Sequence, residues 1–116
     1  MPMHHHPSAQ QTFKPALLAA PNVYLQDIFN SSAQTGSPIS CGLYRLEKGP
    51  PLVYTYTYEE MKIIIEGEFE ISDETGLKVT ARPGDVFWFE KGAVITFTTK
   101  EYGLAFYTGQ RGQGEA

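Results

Sequence analysis

The chain has 116 residues, of which 41% are hydrophobic and 19% are charged, and its net charge is −4. This length fits one domain with a single hydrophobic core. An acidic chain lacks the basic surface through which proteins hold nucleic acid or anionic membranes, so we expect neither as a partner. No apolar run approaches the roughly 20 residues of a membrane-spanning helix. We therefore expect a cytoplasmic protein.

Histidine and cysteine, which supply many catalytic and metal-binding side chains, are scarce in this sequence. The three histidines are His4, His5 and His6, within a polar, proline-bounded start that we predict to be a flexible tail over residues 1–12. They could chelate a metal, be a tag remnant or have no role, and the rest of the chain has no histidine base or ligand. The single cysteine, Cys41, excludes an internal disulfide. Residues 13–108 are predicted to form one domain, and residues 109–116 a flexible, glycine-rich tail.

In chain order, the remaining pattern indicates short strands separated by turns. Residues 13–29 contain two prolines and are predicted to be extended, with at most a short helical turn near residues 25–29, and residues 30–36 to form a loop. Apolar–polar alternation then predicts strands over residues 37–46, 54–71, 77–81, 86–89, 93–99 and 103–107. Short strands with frequent turn signals and almost no helix predict an all-β sandwich or barrel.

Residues 54–67, with the sequence YTYTYEEMKIIIEG, place two charges on a strand that is otherwise largely apolar. Glu60 and Lys62 share one strand face, about 6.5 to 7 Å apart along the strand. From Met61 onward the strand is predicted to be buried on both sides. The face that carries the two charges also carries Tyr54, Tyr56, Tyr58 and Ile64. A buried charge is costly unless it is paired or used, so we expect any function in this stretch.

Two phrases, EGEFEI at residues 66–71 and RPGDVFWFEKGAVITF at residues 82–97, resemble the two sequence motifs of the cupin superfamily. In that register Glu60 falls on the glutamate among the four usual metal ligands. Tyr54, Tyr56 and Ile95 take the three histidine positions. The resemblance implies an all-β fold, the small double-stranded β-helix or cupin jelly-roll barrel, with an extended N-terminal segment. It also implies a barrel with no metal site and no cofactor.

A narrower resemblance is to the cupin domain of the ethanolamine utilization protein EutQ. It is carried by GSPIS at residues 36–40, YEEMKIIIEGE at residues 58–68, PGDVFWFEKG at residues 83–92 and AFY at residues 105–107. The resemblance extends over about residues 25–108. The resemblance implies a homodimer, an association with ethanolamine breakdown in bacterial microcompartments, and acetate kinase activity.

Within such a barrel, four side chains of the central stretch would point inward, and we predict them to be catalytic. Glu60 would act as acid or base, Lys62 would stabilise charge, and Tyr54 and Tyr56 would orient a small-molecule ligand. The predicted substrate-binding residues around them are Tyr44, Trp88, Ile95 and Phe97. A carboxylate, an ammonium and phenols in an aromatic cup suit proton transfer on a small organic molecule, as in a lyase, isomerase or dehydratase.

Other interpretations stay open at this point. Glu60 and Lys62 could form an internal salt bridge that fixes the strand register, and the tyrosines could simply fill the core. The barrel could also serve as a non-catalytic binding module or a dimeric assembly unit. The family resemblance adds acetate-kinase-like phosphoryl transfer as a third function. A metal cupin with unusual ligands is the fourth.

Overall fold

The computed structural model describes residues 2–31 and 36–116, and most of the predicted loop at residues 30–36 lies outside these ranges. In chain order the elements are α1 (Ala9–Thr12), β1 (Leu17–Ala19), β2 (Val23–Asn30), β3 (Ser40–Glu47), β4 (Leu52–Thr55), β5 (Glu60–Gly67), β6 (Phe69–Ser72), β7 (Lys78–Ala81), β8 (Val86–Phe89), β9 (Val94–Thr98) and β10 (Tyr102–Gly109). Within the described ranges, no helix has the length and apolarity that crossing a membrane requires.

The strands form two antiparallel sheets with a shared core. The larger sheet has the order β1-β2-β3-β10-β5-β8, and the smaller has the order β4-β9-β6-β7. Strands distant in sequence are neighbours in both sheets, as when β10 lies between β3 and β5. This arrangement confirms the predicted all-β jelly-roll barrel.

Large aromatic side chains from both sheets fill the space between them. Tyr44 of β3 stacks on Phe69 of β6 with ring centroids 5.5 Å apart, and it meets Phe97 of β9 edge-on at 5.3 Å. These three side chains are almost completely buried. Because side chains alternate between the faces of a strand, every second residue of β3 points into this core. The same alternation in β5 places Glu60, Lys62 and other inward residues beside the aromatic core.

The prediction of one strand over residues 54–71 is wrong. The chain leaves the smaller sheet after Thr55, turns, and enters the larger sheet at Glu60. It changes sheet again at Gly67, whose φ of +67° is a conformation that glycine adopts without steric cost. Burial on both sides is also wrong, because Met61 is 54% exposed on the outer face of β5. A sandwich buries only one face of each sheet, so the apolar run is not evidence of two-sided burial.

Residues 25–29 are extended, as predicted, and belong to β2 without the short helical turn that the sequence left open. Their backbone pairs with β3, with Leu25 opposite Tyr44 and Phe29 opposite Cys41. Inter-strand hydrogen bonds satisfy the same backbone groups that a helical turn would use, and they are formed with residues far away in sequence. Local pattern alone could not reveal them.

Both ends of the chain contact the barrel. In the predicted tail over residues 1–12, the Gln10 side-chain amide donates to the Glu66 carboxylate at 3.0 Å. In the predicted tail over residues 109–116, Arg111 is only 4% exposed. The flexibility of these ends stays a prediction, but Arg111 belongs to the packed structure.

Candidate functional site

A cavity of about 20 Å³ lies between the sheets, with room for about one water molecule. Six of the eight predicted site residues line it: Tyr44, Tyr54, Tyr56, Glu60, Lys62 and Phe97. The remaining lining residues are Tyr58, Leu18, Leu25 and Leu52. The cavity therefore combines an ion pair and phenols with a leucine-lined side.

Glu60 and Lys62 form a buried ion pair inside this cavity. The Lys62 Nζ lies 3.3 Å from Glu60 Oε2, and the two side chains are only 3% and 2% exposed. The hydroxyl of Tyr56 donates a hydrogen bond to the same oxygen. The Lys62 ammonium also lies 4.4 Å from the ring centroid of Tyr44 and 4.6 Å from that of Phe97, within the range of cation–π attraction.

The strand geometry explains why these two charges meet. Glu60 opens β5 opposite Phe89 of β8, and Lys62 lies opposite Phe87. Met61, between them, points outward, as alternation requires. The two inward side chains therefore share one face. They lie beside the stacked rings of Phe87 and Phe89, whose centroids are 5.6 Å apart.

The tyrosines reach the same cavity through the turn between β4 and β5. Tyr54 is the last residue of β4 whose side chain points inward. The chain then bends so that the hydroxyls of Tyr54 and Tyr58 lie 3.0 Å apart. The bend is fixed by backbone hydrogen bonds between Tyr56 and the loop before β9, from Tyr56 N–H to Ala93 and from Gly92 N–H to Tyr56. Residues that alternate along the sequence thus converge even though the strand is interrupted.

Burial sets the protonation behaviour of the cavity. It lowers the pKa of Lys62, and although the negative charge and hydrogen bond of Glu60 oppose this effect, the pKa stays below its ordinary value. Burial and the charge of Glu60 both raise the pKa of Tyr44 and of Tyr56, so both phenols remain hydrogen-bond donors at neutral pH. The Tyr44 hydroxyl is buried without a hydrogen-bond partner among the described residues.

A second buried ion pair, which the sequence analysis missed, adjoins the cavity. Arg111 and Asp27 meet through two bonds, Nη2 to Oδ1 at 2.8 Å and Nη1 to Oδ2 at 3.0 Å. The Tyr107 hydroxyl donates to Asp27 Oδ1 at 2.6 Å. The Arg111 guanidinium also lies 5.4 Å from the ring centroid of Tyr58, which lines the cavity. Asp27 could have been identified as a buried charge from its inward position on β2. Residues 25–29 were predicted only to be extended, so no inward face was assigned to them.

Trp88 and Ile95 do not line the cavity, contrary to the sequence prediction. Trp88 is 58% exposed, and its indole N–H donates to the Glu59 carboxylate at 2.8 Å. Ile95 is buried opposite Tyr54, yet it lines a separate open cleft of about 230 Å³ together with Trp88. The side chains of Phe87 and Phe89 point inward from β8, so that of Trp88 points outward. All four residues at positions 86–89 are apolar, so the sequence does not show which of them point inward.

The residues at the four cupin ligand positions do not fit a divalent metal. Glu60 supplies one carboxylate, but Tyr54 and Tyr56 supply phenol hydroxyls, which are poor ligands here, and Ile95 supplies no donor atom. The Lys62 ammonium already lies against the carboxylate. Among residues 2–31 and 36–116, no group of three or more histidine, cysteine, aspartate or glutamate side chains is placed to hold an ion.

Solved structures share this fold along most of the chain. An RmlC-like cupin from Shewanella frigidimarina NCIMB 400 has a TM-score of 0.73 at 16% identity and covers 97% of this chain and 96% of its own. A protein of unknown function from Rhizobium leguminosarum bv. viciae 3841 has a TM-score of 0.71 at 24% identity, with 94% and 97% covered. Identities this low show the fold alone, which is that of the cupins.

The comparison with sequence families is more specific. The family model described as ethanolamine utilisation protein EutQ matches residues 17–110. The EutQ protein of Clostridium difficile has a structure with a TM-score of 0.65 at 26% identity, covering 81% of this chain and 70% of its own. The acetate kinase EutQ of Clostridioides difficile (strain 630) is 28% identical over 85 residues. These are 73% of this chain and 52% of that protein, so the chain spans about half the length of this curated relative. The chain belongs to the EutQ family within the cupin superfamily.

Proposed function

We propose that the barrel binds a small organic metabolite without a metal and acts on it by acid–base chemistry, as a lyase, isomerase or dehydratase does. One observation carries this proposal: a carboxylate and an ammonium are buried together in an aromatic cup beside a phenol that lacks a partner. Clusters of titratable groups with perturbed protonation are typical of catalytic sites. The matching ion pair also keeps the cup close to neutral.

Each group has a role that its contacts support. Glu60 is held at Oε2 by both Lys62 and Tyr56, and no hydrogen bond from the described residues reaches Oε1. That oxygen is the one we assign to proton transfer. Lys62 stabilises negative charge that develops on the ligand, and the free Tyr44 hydroxyl donates a hydrogen bond to it.

Ligand entry requires movement of the leucine side of the cavity. The cavity holds about one water, so a metabolite must displace a wall. Leu18 is the best candidate, because it is 52% exposed and lies on β1, a three-residue strand at the edge of the larger sheet. Short edge strands with exposed side chains open at low free-energy cost.

Replacing Glu60 with glutamine tests the proposal. Glutamine keeps the size of the side chain and an oxygen for Tyr56, and Lys62, unlike an arginine, can lose its proton when its counter-ion is removed. We therefore expect the loss of unfolding free energy to be about 2 kcal/mol. A panel of small hydroxy, amino and carbonyl compounds is added to the wild type, and ligands are identified by a rise in melting temperature. We expect a ligand that stabilises the wild type, is turned over in NMR spectra, and is neither bound nor converted by Glu60→Gln.

The matched control is Glu59→Gln, which changes the neighbouring, outward carboxylate and should leave ligand binding intact. Equal binding and conversion by Glu60→Gln and the wild type would contradict the proposal. So would a panel without ligands combined with a Glu60→Gln stability loss far above 2 kcal/mol, which is the result expected of a purely structural salt bridge.

A second candidate, a non-catalytic module that assembles as a homodimer, is favoured by two observations. The cavity is small, and the outer face of β5 and β8 exposes Met61, Val86 and Trp88. Met61 lies directly opposite Trp88 in the register, so their apolar side chains are adjacent. Exposed apolar patches of this kind often mark contacts with another protein.

Replacing Val86 with lysine tests this second candidate. Val86 is 71% exposed, so the substitution should leave the stability of the fold unchanged. If this face joins two copies, a buried lysine without a partner should shift the protein from dimer to monomer in sedimentation velocity experiments. Lys78→Glu, on the other sheet, is the control. Sedimentation of the wild-type protein as a monomer would contradict the dimer proposal.

Two further predictions remain proposals. The Clostridioides difficile relative is named an acetate kinase, and phosphoryl transfer is kept as a third function for this chain, although about half of that relative has no counterpart here. A cytoplasmic location is likewise proposed from the acidic composition.

A further inference from the structure

We propose that Lys62 is a nucleophile that forms an imine with a small, uncharged aldehyde or ketone, and that Glu60 moves the protons of this reaction. The inference rests on the proposed function, because it uses the same cavity. It goes further by giving Lys62 a covalent role and by naming the class of substrate.

The position of Lys62 differs from that of every other lysine in the chain. Its side chain is 3% exposed, and its Nζ lies beside a carboxylate and three aromatic rings. The other five lysines, Lys14, Lys48, Lys78, Lys91 and Lys100, are exposed. At neutral pH only a small fraction of an exposed lysine is the free amine that attacks a carbonyl carbon, whereas burial out of water raises this fraction.

The surroundings of Lys62 favour transfer of its proton to Glu60, which leaves a free amine for the reaction. Burial favours the neutral form, and this effect exceeds the opposing attraction of Glu60. The other titratable side chains that face this cavity are Tyr44 from β3, Tyr54 from β4, Tyr56 and Tyr58 from the turn, and Tyr107 lies opposite Lys62 on β10. Burial raises the pKa of Tyr44, Tyr56, Tyr58 and Tyr107, so none of these four becomes a second anion at neutral pH.

The reaction balances without an oxidant, a reductant or a cofactor. Glu60 first takes a proton from the Lys62 ammonium, and the lone pair of Nζ then bonds to the carbonyl carbon while the C–O π bond breaks toward oxygen. Glu60 gives that proton to the oxygen, which forms the hydroxyl of a carbinolamine, and accepts a second proton from the nitrogen. It passes this second proton to the hydroxyl, which leaves as water while the C=N bond of the protonated imine forms. The products are one imine and one water. Oε2 of Glu60, 3.3 Å from Nζ, is placed to take protons from the nitrogen, and Oε1, assigned above to proton transfer with the ligand, is the oxygen that delivers them.

The charges around the cavity select an uncharged carbonyl compound. The Lys62–Glu60 pair has no net charge whether its proton lies on the amine or on the carboxyl group, and Arg111 is matched by Asp27. The described residues at the cavity therefore offer no uncompensated positive charge for a carboxylate or a phosphate. The small volume and the leucine side limit the substrate to a few carbon atoms.

Reductive trapping tests the inference. The full-length protein is incubated with acetaldehyde and sodium cyanoborohydride at neutral pH, which converts an imine into a stable ethylamine, and the site is located by peptide mass spectrometry. We expect Lys62 to be ethylated before Lys78 and the other exposed lysines. Glyoxylate, a two-carbon aldehyde that carries a carboxylate, is the matched probe and should label Lys62 at least about tenfold more slowly.

Two controls separate imine chemistry from simple access. Acetic anhydride, which acylates any accessible amine, should label Lys62 last. Glu60→Gln should slow ethylation of Lys62 about tenfold or more and leave Lys78 unchanged, because it removes the proton carrier. The inference is overturned if Lys62 stays unmodified while the exposed lysines are saturated, or if acetic anhydride labels it as readily as acetaldehyde does.

Failure of this inference is distinguishable from failure of the proposed function. An unlabelled Lys62 together with a metabolite that binds only when Glu60 is intact would leave acid–base chemistry in place without a covalent step. If Lys62 is not labelled and no metabolite depends on Glu60 for binding, both the imine and the acid–base proposals are wrong.

Discussion

Replacing Asp27 with asparagine is expected to lower the free energy of unfolding by about 3 to 5 kcal/mol. Asp27 is the only carboxylate bonded to Arg111 among the described residues, and the side chains of the pair are 7% and 2% exposed. Asparagine has the same shape but no charge, so it leaves a guanidinium buried without a counter-ion. It also weakens the hydrogen bond from Tyr107. Urea unfolding of the variant and the wild type measures the difference.

The exposed ion pair between Arg45 and Glu47 is the matched control. Its side chains are 35% and 43% exposed, so Glu47→Gln should change the stability by less than about 0.5 kcal/mol. The double variant Asp27→Asn, Arg111→Met should be more stable than Asp27→Asn alone, because the unpaired charge is gone. A loss below about 1 kcal/mol for Asp27→Asn would mean that water reaches Arg111 and that the pair is not buried in solution.

The same residue predicts how stability depends on acid. Burial raises the pKa of Asp27, but its bonds to Arg111, Tyr107 and Gly114 outweigh burial and bring the pKa below its ordinary value of 3.8. Between these two values the unfolded chain binds more protons than the folded one, so stability falls as the pH falls. The contribution is complete above pH 3.8 and is lost below the folded-state pKa. Asp27→Asn should therefore lose less stability between neutral pH and pH 3 than the wild type.

Replacing Gly42 with alanine is expected to cost about 3 kcal/mol of unfolding free energy. A Cβ atom at this position would overlap the backbone carbonyl oxygen of Gln26 and the hydroxyl of Tyr107. The first atom belongs to a paired strand and cannot move away without breaking the sheet. Displacing the second removes the bond between Tyr107 and Asp27. Thermal and urea unfolding both measure this loss.

Gly36 supplies the control for this substitution. Apart from its chain neighbours, no atom of residues 2–31 and 36–116 lies within 4 Å of the Cβ that alanine would add there, so Gly36→Ala should be within about 0.5 kcal/mol of the wild type. If Gly42→Ala matched this control, the Tyr107 ring would have room to move, and the close approach between β2, β3 and β10 would be looser than the structure indicates.

Strand alternation allowed much of the candidate site to be predicted from the sequence. The inward directions of Glu60 and Lys62 follow from a backbone period of two, which needs no knowledge of partner strands. Tyr54 and Tyr56 reach the same cavity, but they do so through a turn and not through the continuous strand that was predicted. The chain turns between them and Glu60, and the turn depends on hydrogen bonds to the loop before β9, about 35 residues away in sequence.

Residues whose role depends on distant contacts could not be placed. Trp88 looked like a cavity residue because an apolar run has no visible phase, and only its pairing with Met61 shows that it faces outward. Arg111 looked like part of a solvated tail because its partner, Asp27, is 84 positions earlier. Local sequence patterns predict which face of a strand a side chain lies on, whereas the strands that pair with it depend on the whole fold.

The long sequence separation between Asp27 and Arg111 has a kinetic consequence. Closing a loop of this length costs chain entropy before the ion pair returns any free energy, so the pair forms late in folding. Interactions that are absent from the folding transition state act on the unfolding rate alone. Substitutions at this pair should therefore leave the refolding rate nearly unchanged and speed unfolding, which makes the pair a determinant of how long each folded barrel persists.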